Sequence, residues 1–121
     1  MKIKIKSTQI YEDNTEEIEE KYDNAELKIV DKKVMLKYNE SEIIYDENNQ
    51  SIIVNNKGNC IYVEIEKEKE SNYETPYGNF NIKTYGKSIN FTSNPFILNA
   101  EYMISLNNSI KYNNIINITE N

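Results

Sequence analysis

The 121-residue sequence contains no histidine, no arginine and no tryptophan, and it has a single cysteine. Without histidine it cannot form a Ser-His-Asp or Cys-His nucleophile system, an imidazole general base or a His-ligated metal site. Without arginine it has no bidentate clamp for phosphate or carboxylate groups. The three glycines include no G-x-G spacing, so a glycine-rich phosphate loop is also absent. We therefore expect a protein that is not an enzyme and has no cofactor.

The charge and the short apolar runs restrict the partners and the location. Twenty acidic residues against 14 lysines give a net charge of −6, which disfavours binding to nucleic acid and to anionic lipid. No apolar run approaches the ~20 residues that a membrane-spanning helix needs. One cysteine cannot form an internal disulfide, and no signal peptide precedes the first strand. We expect a cytoplasmic protein with Cys60 as a buried or half-buried apolar residue.

Apolar and polar residues alternate with a period of two from end to end, which is typical of β-strands with one solvent-exposed face. Residues 2–6 alternate lysine and isoleucine, and short Asn-, Gly- or Asp-bearing turns separate the later alternations. The most regular segments are residues 61–69, 79–85, 100–106 and 110–118. Residues 86 and 87 separate the second of these from a further apolar pair, Ile89 and Phe91.

Residues 13–23 allow two interpretations. Asn14, with a glutamate three residues later, could form a capping box and open a helix. The stretch contains only two large apolar residues, Ile18 and Tyr22, which are too few to bury a helical face. We therefore predict a hairpin turn at residues 13–15 and a second strand at residues 17–22.

About ten short strands joined by turns indicate an all-β protein, a single antiparallel meander. A flat sheet of this width would leave long edges exposed, so closure is the better physical solution. The sequence predicts one domain over residues 1–121, a β-barrel of about 8–10 strands with little or no helix.

The run NYETPYGNFNIKTYGKSINF, followed by AEYMISLNNSIKYNNIINIT, resembles the YwiB-like family of small uncharacterised bacterial proteins. Upstream, AELKIVDKKVMLKYNES resembles the second hairpin of that family and IKIKSTQ its first strand, so the resemblance covers nearly the whole chain. It implies a calycin-like, lipocalin-type β-barrel. The family has no settled biochemical activity, and the His and Arg that its members often carry are absent here. The resemblance therefore implies a fold and no reaction.

The Tyr-x-Thr-Pro-Tyr-Gly run is the most specific part of that resemblance. Pro76 pre-sets φ for a turn, Gly78 supplies a positive φ, and Thr75 can bond to local backbone and end the strand. Tyr73 and Tyr77 are then expected to pack back on the end of the barrel. The alternative is that this loop grips a ligand at the barrel mouth.

Several polar side chains share a face with the apolar residues, which predicts that they point into the barrel. They are Tyr38, Tyr102, Tyr112 and Asn114, with Ser7 and Gln9 if the first strand keeps its phase. Buried hydroxyl and amide groups need hydrogen-bond partners. Either they satisfy one another in a filled core, or they line a pocket for a small apolar or amphipathic ligand.

Four glutamates, Glu64, Glu66, Glu68 and Glu70, share one face if the strand there persists. Oxygen ligands suit Ca²⁺ or Mg²⁺, but a straight ladder spaces these carboxylates by roughly 6.5–7 Å and does not converge them. We interpret this acidic ladder as a solvated outer face, paired across strands with lysine, and we predict no metal site.

The leading hypothesis is a non-catalytic barrel, with or without a small hydrophobic or amphipathic ligand in its interior or mouth. The candidate ligand-binding residues are Gln9, Tyr38, Tyr73, Tyr77, Tyr102 and Tyr112. The alternative is a structural or protein-interaction module, monomeric or homodimeric, with a filled core. Its candidate contact residues are Met35, Tyr62, Tyr85 and Met103.

Overall fold

The structure, a computed structural model, describes all residues from 1 to 121 and contains ten β-strands and no helix. The strands are β1 (Lys2–Tyr11), β2 (Glu16–Val30), β3 (Lys33–Tyr38), β4 (Ser41–Asp46), β5 (Ser51–Asn56), β6 (Asn59–Glu64), β7 (Glu68–Thr75), β8 (Gly78–Ser93), β9 (Phe96–Leu106) and β10 (Ile110–Glu120). No element is a helix long and apolar enough to cross a membrane.

The strands form one antiparallel sheet in the order β6-β5-β4-β3-β2-β1-β10-β9-β8-β7. Pairing of β1 with β10 joins the first strand to the last, so the two edges of the sheet are β6 and β7, in the middle of the sequence. The sheet curls until these edges lie side by side and forms a nearly closed barrel. The predicted all-β meander of about ten strands is confirmed.

The seam between β6 and β7 is closed by side chains, without a backbone ladder. The Asn59 amide exchanges two hydrogen bonds with the backbone of Glu74: Nδ2 donates to the carbonyl at 2.9 Å, and Oδ1 accepts from the N–H at 3.1 Å. Further along the seam, the buried Thr84 hydroxyl donates to the Tyr62 carbonyl. These contacts take the place of the ladder that would complete the barrel.

The interior holds a core of 16 buried apolar residues contributed by nine of the ten strands. Alternation along β9 is nearly complete, as predicted: Ala100, Tyr102 and Ile104 are each at most 4% exposed, and the intervening Glu101 and Met103 are only partly buried. The largest fully buried side chain is Phe96, followed by Ile3, Leu36, Ile43, Ile52, Ile82, Leu98 and Ile118. Cys60 is half-buried, as expected.

The predicted hairpin near the start of the chain is also confirmed. Asn14 has a φ of 68°, so it occupies a left-handed turn position and caps no helix. The carboxylate of Asp13 accepts a hydrogen bond from the Thr15 N–H at 3.0 Å, which shapes the turn. The second strand is longer than predicted, because it continues to Val30 without a break.

Residues 61–69 were predicted to be one strand, and this prediction is wrong. The chain turns after β6 and restarts at Glu68, with Glu66 at a φ of 59°. The turn is held by the Lys67 ammonium group, 2.7 Å from the Glu64 carboxylate, and this cation lowers the Glu64 pKa. A period of two cannot reveal such a turn, because its residues happen to keep the alternation. The acidic ladder is therefore interrupted, and only Glu68 and Glu70 remain together on a strand.

The opposite correction applies at Gly86, where β8 runs on through a β-bulge between Gly86 and Ser88. Gly86 is buried against the β6–β7 turn, and its carbonyl accepts a hydrogen bond from the Glu66 N–H at 2.9 Å. A Cβ atom at Gly86 would lie 2.7 Å from the Glu64 carbonyl carbon and closer still to its oxygen. This glycine is required because two backbones meet there.

The up-and-down connectivity gives the barrel two different ends. The mouth end carries the β1–β2, β3–β4, β5–β6, β7–β8 and β9–β10 turns, and the base end carries the remaining four. Near the base, three aromatic rings pack in series: Tyr45 against Phe91 with centroids 5.7 Å apart, and Phe91 edge-on against Phe96 at 5.5 Å. At the mouth end the rings of Tyr11 and Tyr112 form a pair with centroids 5.3 Å apart.

Candidate functional site

A cleft of about 380 Å³ opens at the mouth end between β1, β2 and β10 on one side and β3, β4 and β5 on the other. Its volume lies within the ~300–1,000 Å³ of small-molecule sites. The inward faces of the two sides supply apolar walls and one aromatic side chain. These wall residues are Ile5, Ile43, Val54, Ile116 and Tyr38. We call this space the mouth cleft.

The rim of the mouth cleft contains charged residues of β2 that point inward. The register pairs Ser7 with Glu19 and Ile3 with Asp23, so the odd-numbered residues of this strand share the face of the buried β1 residues. Towards the base the same face of β2 becomes apolar, beginning at Ala25, which is 6% exposed. Leu27 and Ile29, further along this face, are 37% and 48% exposed, so the face changes from charged to apolar without becoming fully buried.

Most of the charges at the rim are already paired. Lys21 Nζ lies 3.3 Å from the Glu19 carboxylate, and Lys57 Nζ lies 3.8 Å from that of Glu40. All four side chains are mostly exposed, so these pairs contribute little stability. Asp23 differs, because it is half-buried and forms no ion pair with a lysine.

Tyr38 lies beside Asp23 in the wall of the cleft. It pairs across the sheet with Ala25, and Asp23 is two residues away from Ala25 on the same face of β2. Burial raises the pKa of the Tyr38 hydroxyl, and the negative charge of Asp23 raises it further. The phenol is therefore neutral at physiological pH, and its oxygen can both donate and accept hydrogen bonds.

Next to the cleft, the interior is filled by a polar network instead of being open. Asn114 Nδ2 donates to the Tyr102 hydroxyl oxygen at 2.7 Å, and these residues are 7% and 2% exposed. Ser7 donates to Asn114 Oδ1 at 3.5 Å, and the Tyr11 hydroxyl donates to Gln9 Oε1 at 2.9 Å. The alternatives of a filled core and an open pocket thus both describe part of this barrel.

The structure brings five of the six candidate site residues to the mouth half of the interior. Tyr38 lines the cleft directly, whereas Gln9 and Tyr102 belong to the adjoining network. The Tyr112 ring packs against that of Tyr11 at 5.3 Å, and Tyr73 packs against the core near Tyr112. The predicted inward phase of Gln9 is confirmed by its pairing opposite Asn114.

Tyr77 is the exception, since it is 95% exposed and does not pack on the barrel end as predicted. It lies in the turn between Thr75, the last residue of β7, and Gly78, the first of β8. The backbone predictions for this turn are correct: Thr75 Oγ1 donates to the Gly78 carbonyl at 2.9 Å and accepts from the Tyr77 N–H at 3.2 Å. Gly78 has a φ of 125°.

The inward charges of β2 were missed from the sequence, although a signal for them exists. The apolar phase at Ala25, Leu27 and Ile29 can be followed backwards by twos to Asp23 and Lys21. Charged residues of a strand are normally expected to face outward. That expectation applies only where the inner face of the strand is shielded from water.

On the outer surface, the residues suggested for protein contacts lie in two separate places. Met35 and Tyr62 lie at the two ends of an apolar row across β3, β4, β5 and β6, with Ile44 and Ile53 between them in direct register. Tyr85 and Met103 face each other on β8 and β9. Only Tyr62 and Tyr85 are more than about two fifths exposed, at 43% and 45%.

Removing the Tyr102 hydroxyl should change how stability depends on alkaline pH. Burial raises the pKa of Tyr102, whereas the Asn114 hydrogen bond opposes this rise. An unfolded tyrosine ionises near pH ~10, so above that pH the unfolded chain binds fewer protons and stability falls by up to about 1.4 kcal/mol per pH unit. Urea unfolding of Tyr102→Phe should show a decline above pH ~10 that is shallower by up to this amount.

The control is Ile43→Val, which costs about 1 kcal/mol in the core and removes no titrating group. It should lower stability equally at all pH values and keep the wild-type slope. If Tyr102→Phe also keeps the wild-type slope, burial does not raise the pKa of the Tyr102 hydroxyl in the folded protein.

These features define a small, nearly closed antiparallel β-barrel with a cleft at one end. The fold is similar to the crystal structure of the YwiB protein from Bacillus subtilis, with a TM-score of 0.71 over 99% of this chain and 90% of that chain. The two sequences are 17% identical, so the likeness shows a shared, YwiB-like fold. No protein-family model matches the sequence, and no curated protein does.

Proposed function

We propose that this protein is a non-catalytic, calycin-like barrel that binds a small apolar or amphipathic ligand in the mouth cleft. The observation that carries the proposal is an open volume of about 380 Å³ whose lining combines a small apolar wall with a larger number of polar and charged residues, as an amphipathic ligand requires. Small barrels of lipocalin type hold a single small ligand in their interior.

The side chains of the cleft support binding over catalysis. The chain has no histidine, and the rim carboxylates Glu19 and Glu40 are exposed and paired with lysine. These two carboxylates share one environment, so they do not form a general acid and general base pair with each other. A cytoplasmic, bacterial setting without nucleic-acid or membrane partners is part of the proposal, supported by the net charge of −6 and the single cysteine.

The test uses decanol, a neutral amphipathic probe, in equilibrium dialysis and thermal unfolding. One decanol should bind per chain, and a concentration about 100 times Kd should stabilise the fold by about 2.7 kcal/mol. Val54→Phe fills the cleft from its wall and should abolish binding. Ile44→Phe adds a ring to the outer face of the neighbouring strand and should leave binding unchanged.

Absence of binding to the wild-type protein would refute the ligand proposal. The outer row from Met35 to Tyr62 would then favour the alternative, a protein-interaction module. Light scattering would show a homodimer if that row serves a second copy of the chain.

A further inference from the structure

The charges around the mouth cleft are not balanced. Its lining contains three carboxylates, from Glu19, Asp23 and Glu40, and two ammonium groups, from Lys21 and Lys57. Both ammonium groups are engaged by the two exposed glutamates. The charge left over is the one on Asp23, which is also the least exposed of the three carboxylates.

The hydrogen bonding of Asp23 leaves room for a further donor. Asp23 Oδ1 accepts from the neighbouring Asn24 N–H at 2.8 Å, and no other side-chain hydrogen bond or ion pair satisfies the carboxylate. A carboxylate has about four acceptor positions, and a half-buried one is incompletely hydrated. Across the cleft wall, Tyr38 offers a phenol oxygen and an aromatic face, both of which attract a cation.

We propose that the mouth cleft selects amphipathic cations: the apolar body lies against Ile5, Ile43, Val54 and Ile116, and an ammonium group lies between Asp23 and Tyr38. This inference rests on the proposed function and adds the charge of the ligand. A fatty anion is disfavoured, because its head group would lie against the negative charge of Asp23. The chain has no arginine and the lining has no unpaired lysine to bind that head group. The net charge of −6 also draws cations towards the protein.

Three probes with the same apolar chain distinguish the charge from the cleft itself. Decylamine is protonated at neutral pH, as a lysine side chain is, decanol is neutral and decanoate is negative. Calorimetry below the micellar concentration should show one site per chain. Decylamine should bind about five- to tenfold more tightly than decanol, because a charge-assisted hydrogen bond is added, and decanoate should bind most weakly.

Asp23→Asn is the decisive variant, since it keeps the size of the side chain and removes its charge. It should weaken decylamine binding about five- to tenfold and decanol binding much less, because decanol carries no charge and loses at most part of one hydrogen bond. The matched control is Glu26→Gln, which removes the same charge from the outer face of the same strand. Both variants should keep the wild-type circular dichroism spectrum and the wild-type urea midpoint.

Each outcome has a distinct meaning. Equal binding of decylamine and decanol, or an Asp23→Asn variant with unchanged affinity for decylamine, overturns the cation inference but leaves the proposed function intact. An equal loss of decylamine affinity in Asp23→Asn and Glu26→Gln also overturns the cation inference. The amine would then be attracted by the net negative charge of the whole protein and not by the cleft. Failure of all three probes to bind refutes both proposals.

Discussion

Replacing Gly86 with alanine is expected to destabilise the protein by about 3 kcal/mol and to lower the thermal midpoint by on the order of 10 °C. The added methyl carbon would lie 2.7 Å from the Glu64 carbonyl carbon and 3.1 Å from the Ile65 Cα. Both are backbone atoms, so no flexible side chain can move aside. Relief requires the β6–β7 turn to shift, which breaks the 2.9 Å hydrogen bond from Glu66 to Gly86.

Urea unfolding followed by circular dichroism measures this effect. Ser88→Ala, on the other side of the same bulge, is the control, since Ser88 is exposed and its replacement should cost less than ~0.5 kcal/mol. A Gly86→Ala protein as stable as the wild type would mean that the seam has enough slack to accept a side chain. The close approach of the two backbones would then not constrain the fold.

Truncating Phe96 to alanine should cost about 3–5 kcal/mol. Phe96 is 2% exposed, and its ring packs edge-on against Phe91 at the base of the barrel. The loss includes the transfer of the ring and the cavity left behind, because a closed sheet cannot collapse easily around the gap. Guanidinium unfolding should show a lower midpoint with little change in the denaturant dependence of the unfolding free energy.

Phe91→Ala provides the comparison within the same aromatic series. Phe91 is only half-buried, although it contacts both Tyr45 and Phe96. Its truncation should therefore cost less than that of Phe96, because water can reach part of the vacated space. If the Phe91 variant is the less stable of the two, the contacts within the series outweigh the burial of Phe96.

The strands were predictable because alternation is imposed wherever one face of a sheet is buried. Ala100, Tyr102 and Ile104 illustrate this, since a shift of one residue would expose all three. The positions at which strands begin and end were less predictable. Glu66 keeps the alternation while its φ is positive, and Gly86 resembles a turn glycine although it lies in a bulge. The turn at Glu66 and the bulge at Gly86 depend on each other, because a backbone hydrogen bond joins these two segments, which are about twenty residues apart in the chain.

The candidate site was predictable only in part, for a related physical reason. Tyr38 was identified because it shares a face with core residues. Asp23 shares such a face as well, but an inward carboxylate contradicts the usual pattern unless the barrel is known to be open there. Whether an interior is open depends on how far two walls stand apart, and the local sequence of neither wall contains that distance.

The circumference of this barrel depends on particular side chains, because side-chain hydrogen bonds join β6 and β7 at the seam. Elsewhere around the barrel, adjacent strands are joined by backbone groups that nearly every residue possesses, so substitutions leave the pairing intact. At the seam, the joining groups are the Asn59 amide, the Thr84 hydroxyl and a single backbone hydrogen bond from Glu66 to Gly86, whose lack of a side chain lets the two backbones meet. Sequence change at Asn59, Thr84 or Gly86 would widen or narrow the barrel, and with it the room at the mouth, while the other nine strand junctions stay as they are.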